Sequence, residues 1–206
     1  AVTTANGGGN GSGSLSGLFT AEAMDFSLFV RGDMAFDHGD VDGATAIGGD
    51  LTIDGTGQMA QQSAGSWTHN GDLVGLFIDG TVHFQSNSGI NLLSQAKLRI
   101  GLTGGVNIYD TQNNTPVNTR VTGGSYHSHP RILLDHHQSA SSVDHTSGSL
   151  IDFSDIFHTF RSRATAVGQL ANTVNLTNAN GNPLDRNNLP NHAQVYIQQL
   201  SNGDNI

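Results

Sequence analysis

The most regular feature of this chain is a short strand-like segment that occurs three times before residue 85. Residues 30–37 (VRGDMAFD) and 47–54 (IGGDLTID) align at an offset of 17 residues, with the Gly-Asp pair and the apolar positions in register. Residues 76–84 (LFIDGTVHF) repeat the pattern, with Gly80 at the position of Gly32 and Gly49. A period this short does not suit a unit that folds alone. It is typical of one coil of a β-solenoid, in which each strand stacks on its counterpart in the next coil.

Further alternating segments extend this prediction to four or five coils. Residues 96–100 (AKLRI) and 106–109 (VNIY) place an apolar side chain at every second position, so one face of each predicted strand is apolar. Residues 192–200 return to the same alternation. The polar residues 55–70 predict a lateral loop, and residues 110–149, which show no period, predict a long loop region. We therefore predict a mainly β fold, a β-solenoid.

One long helix is predicted over residues 150–172. Asp152 or Ser149 can cap its N-terminus. Its apolar residues recur at helical spacing and form one stripe, which we expect to pack along the flank of the solenoid: Phe153, Ile156, Phe157, Phe160, Ala164, Val167 and Ala171. Residues 20–26 predict a short helical turn that caps the stack. Residues 1–17 form a Gly/Ser-rich tail, and residues 18–206 are predicted to form a single domain.

Two segments resemble the choice-of-anchor A domains of bacterial surface and secreted proteins. The resemblance is carried by residues 26–30 (FSLFV) with the Gly-Asp strand that follows, by residues 40–50 (DVDGATAIGGD), and by the helix opening at residues 151–153 (IDF). It implies an extracellular β-solenoid with an accompanying helix on a bacterial envelope or in a matrix. It also implies a structural or adhesive role, such as that of an adhesin or a biofilm component.

The composition supports strands and turns and excludes several kinds of partner. Apolar residues make up 35% of the chain, glycine occupies 27 positions, and charged residues make up 12%. The net charge is −9, and the 8 basic residues are scattered in sequence. Nucleic acids and anionic membranes are therefore poor partners, because both require clustered Lys or Arg. No apolar run approaches the ~18 residues of a spanning helix, so membrane insertion is not expected.

The absence of cysteine excludes disulfides and thiolate metal sites, which leaves histidine and carboxylate as candidate metal ligands. Five of the 10 histidines lie between residues 110 and 149. The His-rich loop at residues 126–145 is either a solvated polar loop or a site for Zn or Cu, since imidazole and carboxylate suit both ions. The candidate ligands are His127, His129, His136 and His137.

Two other motifs suggest chemistry without meeting its spacing requirements. Asp37, Asp40 and Asp42 could bind Ca²⁺, but they lack the spacing and terminal Glu of a twelve-residue calcium loop, so a role in turns is favoured. Ser, His and Asp are plentiful, yet no G-x-S-x-G motif occurs, and we do not expect an enzyme.

Two further features are similar to known recognition surfaces but do not meet their requirements. The tripeptide Arg31-Gly32-Asp33 matches an integrin-binding motif, but we assign it to a strand of the repeat rather than to a protruding loop. An ice-binding surface requires a regular rank of threonines. The aligned repeats instead predict a rank of Ala35, Thr52 and His83, which is broken.

The two ends of the chain favour self-association. A strand at the open end of a stack exposes unpaired N–H and C=O groups, which a segment of the next copy can cover by strand addition. A head-to-tail contact of this kind does not close and generates a filament. The sequence therefore predicts an extracellular structural or adhesive module that forms fibres or binds a cell-surface or matrix ligand, with transition-metal binding as the alternative.

Overall fold

The computed structural model describes residues 21–85, 89–145, 149–169, 177–178, 180 and 182–185. The chain divides into two compact units, one of Thr20–His158 and one of Ala1–Phe19 with Thr159–Ile206. The predicted tail at residues 1–17 and the predicted strand at residues 192–200 lie outside the described residues. The division into a tail and a single domain stays a prediction.

The described residues are mainly β, as predicted, with one long helix. The strands are β1 (Leu28–Val30), β2 (Met34–Phe36), β3 (Gly39–Val41), β4 (Thr45–Ile47), β5 (Leu51–Ile53), β6 (Gly57–Met59), β7 (Thr68–His69), β8 (Asp72–Ile78), β9 (Val82–Phe84), β10 (Gly89–Leu92), β11 (Lys97–Ile100), β12 (Asn107–Gln112), β13 (Thr115–Thr122) and β14 (Arg131–Leu134). The helices are α1 (Ala21–Met24), α2 (Ala140–Val143) and α3 (Phe153–Gly168).

Apart from β7, the strands from β1 to β11 enter three different sheets in rotation, and β12, β13 and β14 then all join one of these sheets. Sheet A has the order β1-β4-β8-β11, sheet B the order β2-β5-β9, and sheet C the order β3-β6-β10-β14-β13-β12. Pairing is parallel except where β7 joins β8 and where β12, β13 and β14 pair with one another. The predicted register is confirmed, because Val30 pairs with Ile47 and Phe36 with Ile53.

One apolar core receives side chains from all three sheets. The strands are short, so most of them contribute only one or two side chains to the core, from the inward positions of the alternation. Fully burying such a side chain contributes about 1.5–3 kcal/mol. The largest members of the core are Ile47, Leu76, Ile78, Leu98, Ile100, Leu51, Ile53, Met59, Ile90, Leu92 and Ile132.

The repeated Gly-Asp pair has a structural cause at the corner between sheets A and B. The Asp33 carboxylate accepts a hydrogen bond from the Asp50 N–H (2.9 Å), and the Asp50 carboxylate accepts one from the Thr81 N–H (2.9 Å). A Cβ on Gly49 would lie 2.2 Å from Asp33 Oδ1, and a Cβ on Gly80 would lie 2.2 Å from Asp50 Oδ1. Glycine is therefore required directly above each aspartate of the preceding repeat.

The outward face of sheet A is covered by aromatic side chains. Phe29 and Phe77 point outward, and the Phe153 ring stacks on both, with centroids 4.8 and 6.1 Å apart. Trp67, from the loop before β7, meets Phe77 edge-on at 5.5 Å. Gly48 leaves room for this contact, because a Cβ there would lie 2.6 Å from the Phe153 ring. Phe77 is consequently buried on this face of the sheet, and Phe29 is half-buried.

The predicted helix is confirmed, with narrower bounds. Asp152 caps it as expected, since its Oδ1 accepts a hydrogen bond from the Asp155 N–H at 2.9 Å. Phe153 and Ile156 are buried, whereas Ala164 and Val167 in the second half of the helix are exposed. Helical periodicity identifies the apolar side of a helix and carries no information on the length of the surface that covers it.

The prediction of a long loop over residues 110–149 is wrong. The segment contains the second half of β12, all of β13 and β14, and α2. Asn113 and Asn114 have φ angles of 51° and 62°, which is typical of the two-residue turn of a β-hairpin. Two three-residue strands of sheet C, β3 and β6, were also missed, because so short a run carries little periodicity.

Candidate adhesive surface

Among the described residues, the outward face of sheet A is covered at Phe77 and Arg99, which lie between β7 and the start of α3. Arg99, at the outward position next to Phe77, is 3% exposed and pairs with Asp72 (Nη2 to Oδ2, 2.7 Å). Its Nε also donates to His69 Nδ1 at 3.4 Å. Burial, followed by the nearby Arg99 charge, lowers the pKa of His69. This face is a second layer of the interior rather than a binding surface.

Sheet B presents a narrow outward row of Ala35, Thr52 and His83. The predicted register of this row is confirmed by the pairing of β2 with β5 and of β5 with β9. His83 Nε2 lies 3.1 Å from Asp50 Oδ2. The hydrogen bond from the Thr81 N–H, together with the bond to His83, lowers the pKa of Asp50. The row holds a single threonine and spans only three strands.

Sheet C carries the widest outward face. Its six strands place one residue each in a continuous row across the sheet, and the register follows from their pairing. Most of these side chains are polar, and none is fully buried. The row, which we call the sheet C row, consists of Asp40, Gln58, Asn91, Leu133, Arg120 and Tyr109.

Aromatic and guanidinium groups meet at one end of the sheet C row. The Arg120 guanidinium lies over the Tyr126 ring, with Cζ 4.1 Å from its centroid. Tyr109 meets Tyr126 edge-on at 5.8 Å, and its hydroxyl donates to the Gly124 carbonyl at 3.0 Å. These contacts hold the loop after β13 against the sheet.

Arg131 adds a second positive charge at this end. It lies on β14 two residues before Leu133, which pairs with Arg120, so the two arginines are diagonal neighbours on one face. Burial and the charge of Arg120 lower the pKa of Arg131. Arg131 also lines a cavity of about 230 Å³, together with Thr56, Gly89, Ile90, Asn91 and His129.

The structure does not gather the four predicted metal ligands. His127 meets Tyr126 edge-on at 4.9 Å, and His129 lies beside Arg131. His136 Nδ1 lies 2.9 Å from Asp135 Oδ1, while His137 is exposed. Throughout the part of the chain that the structure describes, no group of three or more His, Asp or Glu side chains could hold a metal ion. Metal binding stays a prediction.

The aspartates considered for Ca²⁺ take separate structural roles. Asp37 Oδ1 lies 2.7 Å from His38 Nδ1, and Asp40 Oδ1 accepts a hydrogen bond from the Gln58 N–H at 3.0 Å. The Asp42 carbonyl accepts hydrogen bonds from the N–H groups of Gln62 and Ser63. The contact of Asp40 joins β3 to β6, whereas those of Asp37 and Asp42 involve loop residues.

The tripeptide Arg31-Gly32-Asp33 lies in the corner between β1 and β2, not inside a strand, and this part of the prediction is wrong. All three residues are exposed, but the Asp33 carboxylate is engaged by the Asp50 N–H. Arg31 also lines a cavity of about 520 Å³ at the start of α3, together with Asp79 and Asp152. Its mixed charges select no single class of ligand.

These features define a mainly β protein whose described residues present one broad polar face, that of sheet C. A family model, described as Putative Ice-binding-like adhesive domain, matches residues 19–206. The chain belongs to this family of adhesive domains. Neither a curated protein nor a solved structure matches it. The adhesive description indicates a surface or extracellular location. Among the described residues, no helix is long and apolar enough to cross a membrane.

Sequence reasoning missed the residues at the end of the sheet C row. Arg120, Arg131, Tyr109 and Tyr126 all fall within or beside the segment that was predicted to be a loop. The available signal was the pair Asn113-Asn114 between two alternating runs, which is typical of a hairpin turn.

Proposed function

We propose that this protein is an extracellular adhesive module of a bacterial surface or matrix protein, built on a β-solenoid. The rotation of successive strands through three sheets supports the solenoid, because a chain that coils once contributes one strand to each sheet. The resemblance of residues 26–54 to choice-of-anchor A domains supports the bacterial surface assignment. A stack of short strands suits this role, since it presents flat outward faces on a rigid core.

The observation that carries the proposal is the sheet C row. Sheet A is covered on its outward side, and the row of sheet B is three residues wide, so sheet C offers the broadest open face in the described residues. Asn91 and Asp40 are exposed on it, and tyrosine and arginine, which are enriched in binding surfaces, lie at one end. We assign adhesion to this face.

The proposed role is binding and not catalysis. The described imidazole–carboxylate pairs are His38–Asp37, His83–Asp50 and His136–Asp135. In these ranges no serine hydroxyl hydrogen bonds to any of the three imidazoles, whereas a serine nucleophile is activated by an adjacent base.

Bead adhesion with two matched variants tests the assignment. Asn91→Glu on sheet C and Ala35→Glu on sheet B each place one carboxylate at an exposed outward strand position. Beads coated with the protein would be applied to bacterial cells and to matrix polysaccharides under flow. We expect Asn91→Glu to reduce bead retention at least tenfold and Ala35→Glu to leave it unchanged. Equal retention by both variants, or an equal loss, would contradict the assignment to sheet C.

Self-association into fibres is the second candidate. Strands β1, β2 and β3 occupy one end of the three sheets, and each pairs on one side only among the described residues. Such an edge can accept a strand from another copy. Electron microscopy and sedimentation of the purified protein test this idea. A protein that stays monomeric at every accessible concentration would refute it without affecting the adhesive proposal.

A further inference from the structure

Two arginines lie side by side on sheet C without a counter-ion. Arg120 pairs with Leu133 across β13 and β14, and Arg131 lies two residues before Leu133 on the same face. Diagonal neighbours in an antiparallel pair are roughly 7–8 Å apart, which is within the reach of two guanidinium groups. The ion pairs of the described residues involve other side chains, and none includes Arg120 or Arg131.

The immediate surroundings leave hydrogen-bonding capacity of the guanidinium groups unused. Arg120 Nε is buried and has no acceptor, while its Nη1 donates only a long bond of 3.4 Å to the Tyr126 carbonyl. A buried donor without a partner is costly, and so are two adjacent like charges. The protein has a net charge of −9, yet no carboxylate of the described residues forms an ion pair with Arg120 or Arg131. This arrangement points to a ligand that supplies the negative charge.

The shape of the site limits the size of that ligand. The cavity beside Arg131 measures about 230 Å³, which is smaller than the ~300–1,000 Å³ of pockets for drug-sized molecules and suits a single ring-sized unit. Its walls include the Thr56 hydroxyl, the Asn91 amide and the His129 imidazole, which can exchange hydrogen bonds with ligand hydroxyls. The site opens on the broad sheet C face, so a polymer can continue beyond the bound unit.

We propose that Arg120 and Arg131 bind a carboxylate or sulfate group carried by an acidic polysaccharide, with the charged sugar unit seated in the cavity beside Arg131. The planar guanidinium fork matches both oxyanions through paired hydrogen bonds. Thr56 and Asn91 contact the hydroxyls of the same unit and distinguish a saccharide from a simple ion. The inference names the ligand class of the proposed adhesive face and in that sense rests on the proposed function.

Titration calorimetry on the purified protein tests the inference. Four probes would be compared at one pH and low salt: an oligosaccharide of uronic acids, a sulfated oligosaccharide, a neutral oligosaccharide of equal length, and inorganic sulfate. We expect the uronate or the sulfated oligosaccharide to bind at least tenfold more tightly than both the neutral chain and inorganic sulfate. The charged probe that binds more tightly identifies the preferred group.

Three variants assign the binding to the arginine pair. Arg131→Gln removes one charge and should weaken binding at least tenfold. Arg131→Lys keeps the charge but loses the fork, and should give an intermediate loss. Arg31→Gln removes an exposed arginine at a distant corner and should change nothing. The melting temperature of each variant, measured without ligand, separates loss of binding from loss of folding, and the Lys variant keeps the test valid if the Gln variant does not fold.

Several results would overturn the inference. Charged and neutral probes that bind alike, binding unaffected by Arg131→Gln, or an equal loss in Arg31→Gln would each exclude a specific site. Inorganic sulfate that binds as tightly as the sulfated oligosaccharide would reduce the site to a simple anion site. If the arginine site is excluded but beads still adhere through sheet C, the proposed adhesive function stands without this ligand. If the saccharide binds but the Asn91→Glu beads adhere normally, the arginine site stands and the adhesive function of sheet C is refuted.

Discussion

Replacement of the repeated glycine by alanine gives the sharpest test of the corner between sheets A and B. Gly32 and Gly49 occupy the same position in successive repeats, but their surroundings differ. A Cβ at Gly49 would lie 2.2 Å from Asp33 Oδ1, 2.7 Å from the Gly32 carbonyl carbon and 2.8 Å from the Asp33 nitrogen, whereas a Cβ at Gly32 would meet nothing within 4 Å. The pair therefore separates the packing cost from the intrinsic effect of changing glycine to alanine.

The two substitutions are expected to change the free energy of unfolding in opposite directions. In Gly49→Ala the backbone of the preceding repeat must shift, which typically costs about 1–3 kcal/mol. The shift also disturbs the hydrogen bond from the Asp50 N–H to Asp33. Gly32 has no left-handed φ angle, so Gly32→Ala restricts only the unfolded chain and should stabilise the protein by about 0.4–1 kcal/mol.

Urea unfolding followed by far-ultraviolet circular dichroism measures both effects. We expect the free energies of unfolding of the two variants to differ by at least about 1.4 kcal/mol, the sum of the two lower estimates. At about 2–4 °C per kcal/mol, this corresponds to a difference in melting temperature of at least about 3 °C. A Gly49→Ala protein as stable as the wild type, or an equal loss in Gly32→Ala, would refute the account of the Gly-Asp repeat.

Three further outcomes are expected. Phe153→Ala should lower the free energy of unfolding by about 3–5 kcal/mol, because the ring is buried between Phe29 and Phe77, whereas Val167→Ala should change it little, since that side chain is exposed. Burial lowers the pKa of His69 below the usual histidine value of 6.5, so the unfolded chain binds more protons than the folded protein in this pH range. The free energy of unfolding should therefore fall as the pH drops from about 7.5 to 5.5. Chemical denaturation at a series of pH values measures this change. If the four candidate histidines form a metal site, addition of Zn²⁺ should raise the melting temperature, because a ligand that binds only the folded state stabilises it.

Each of these expectations has a clear contrary result. A small effect of Phe153→Ala would mean that α3 does not cover sheet A. The pH effect attributed to His69 should disappear in His69→Gln, and an unaltered profile in that variant would assign it to another group. An unchanged melting temperature, or a rise that persists when the four candidate histidines are replaced by alanine, would contradict the metal hypothesis.

The arginine pair illustrates which part of the site lay beyond sequence reasoning. Arg120 and Arg131 are separated by a loop in a segment without a clear period. In the sequence alone they do not form a cluster of basic residues. The antiparallel pairing of β13 with β14 brings them together, because pairing of residues 120 and 133 places residue 131 on the same face. The turn at Asn113-Asn114 could have been recognised, but the partner of the resulting hairpin could not, since alternation is the same for any strand pair.

The local features of the fold were determined by the sequence itself. The repeat at an offset of 17 residues fixed the register of β1 with β4 and of β2 with β5, because a one-residue slip would turn every core side chain outward. Helical spacing and Asp152 fixed the start of α3, since periodicity and capping are properties of neighbouring residues. What only the tertiary structure decided was which faces are covered. Phe77 and Arg99 alternate like outward residues, yet both are buried. Phe77 is covered because Trp67 and Phe153, distant in sequence, pack against it, and Phe153 also stacks on the half-buried Phe29.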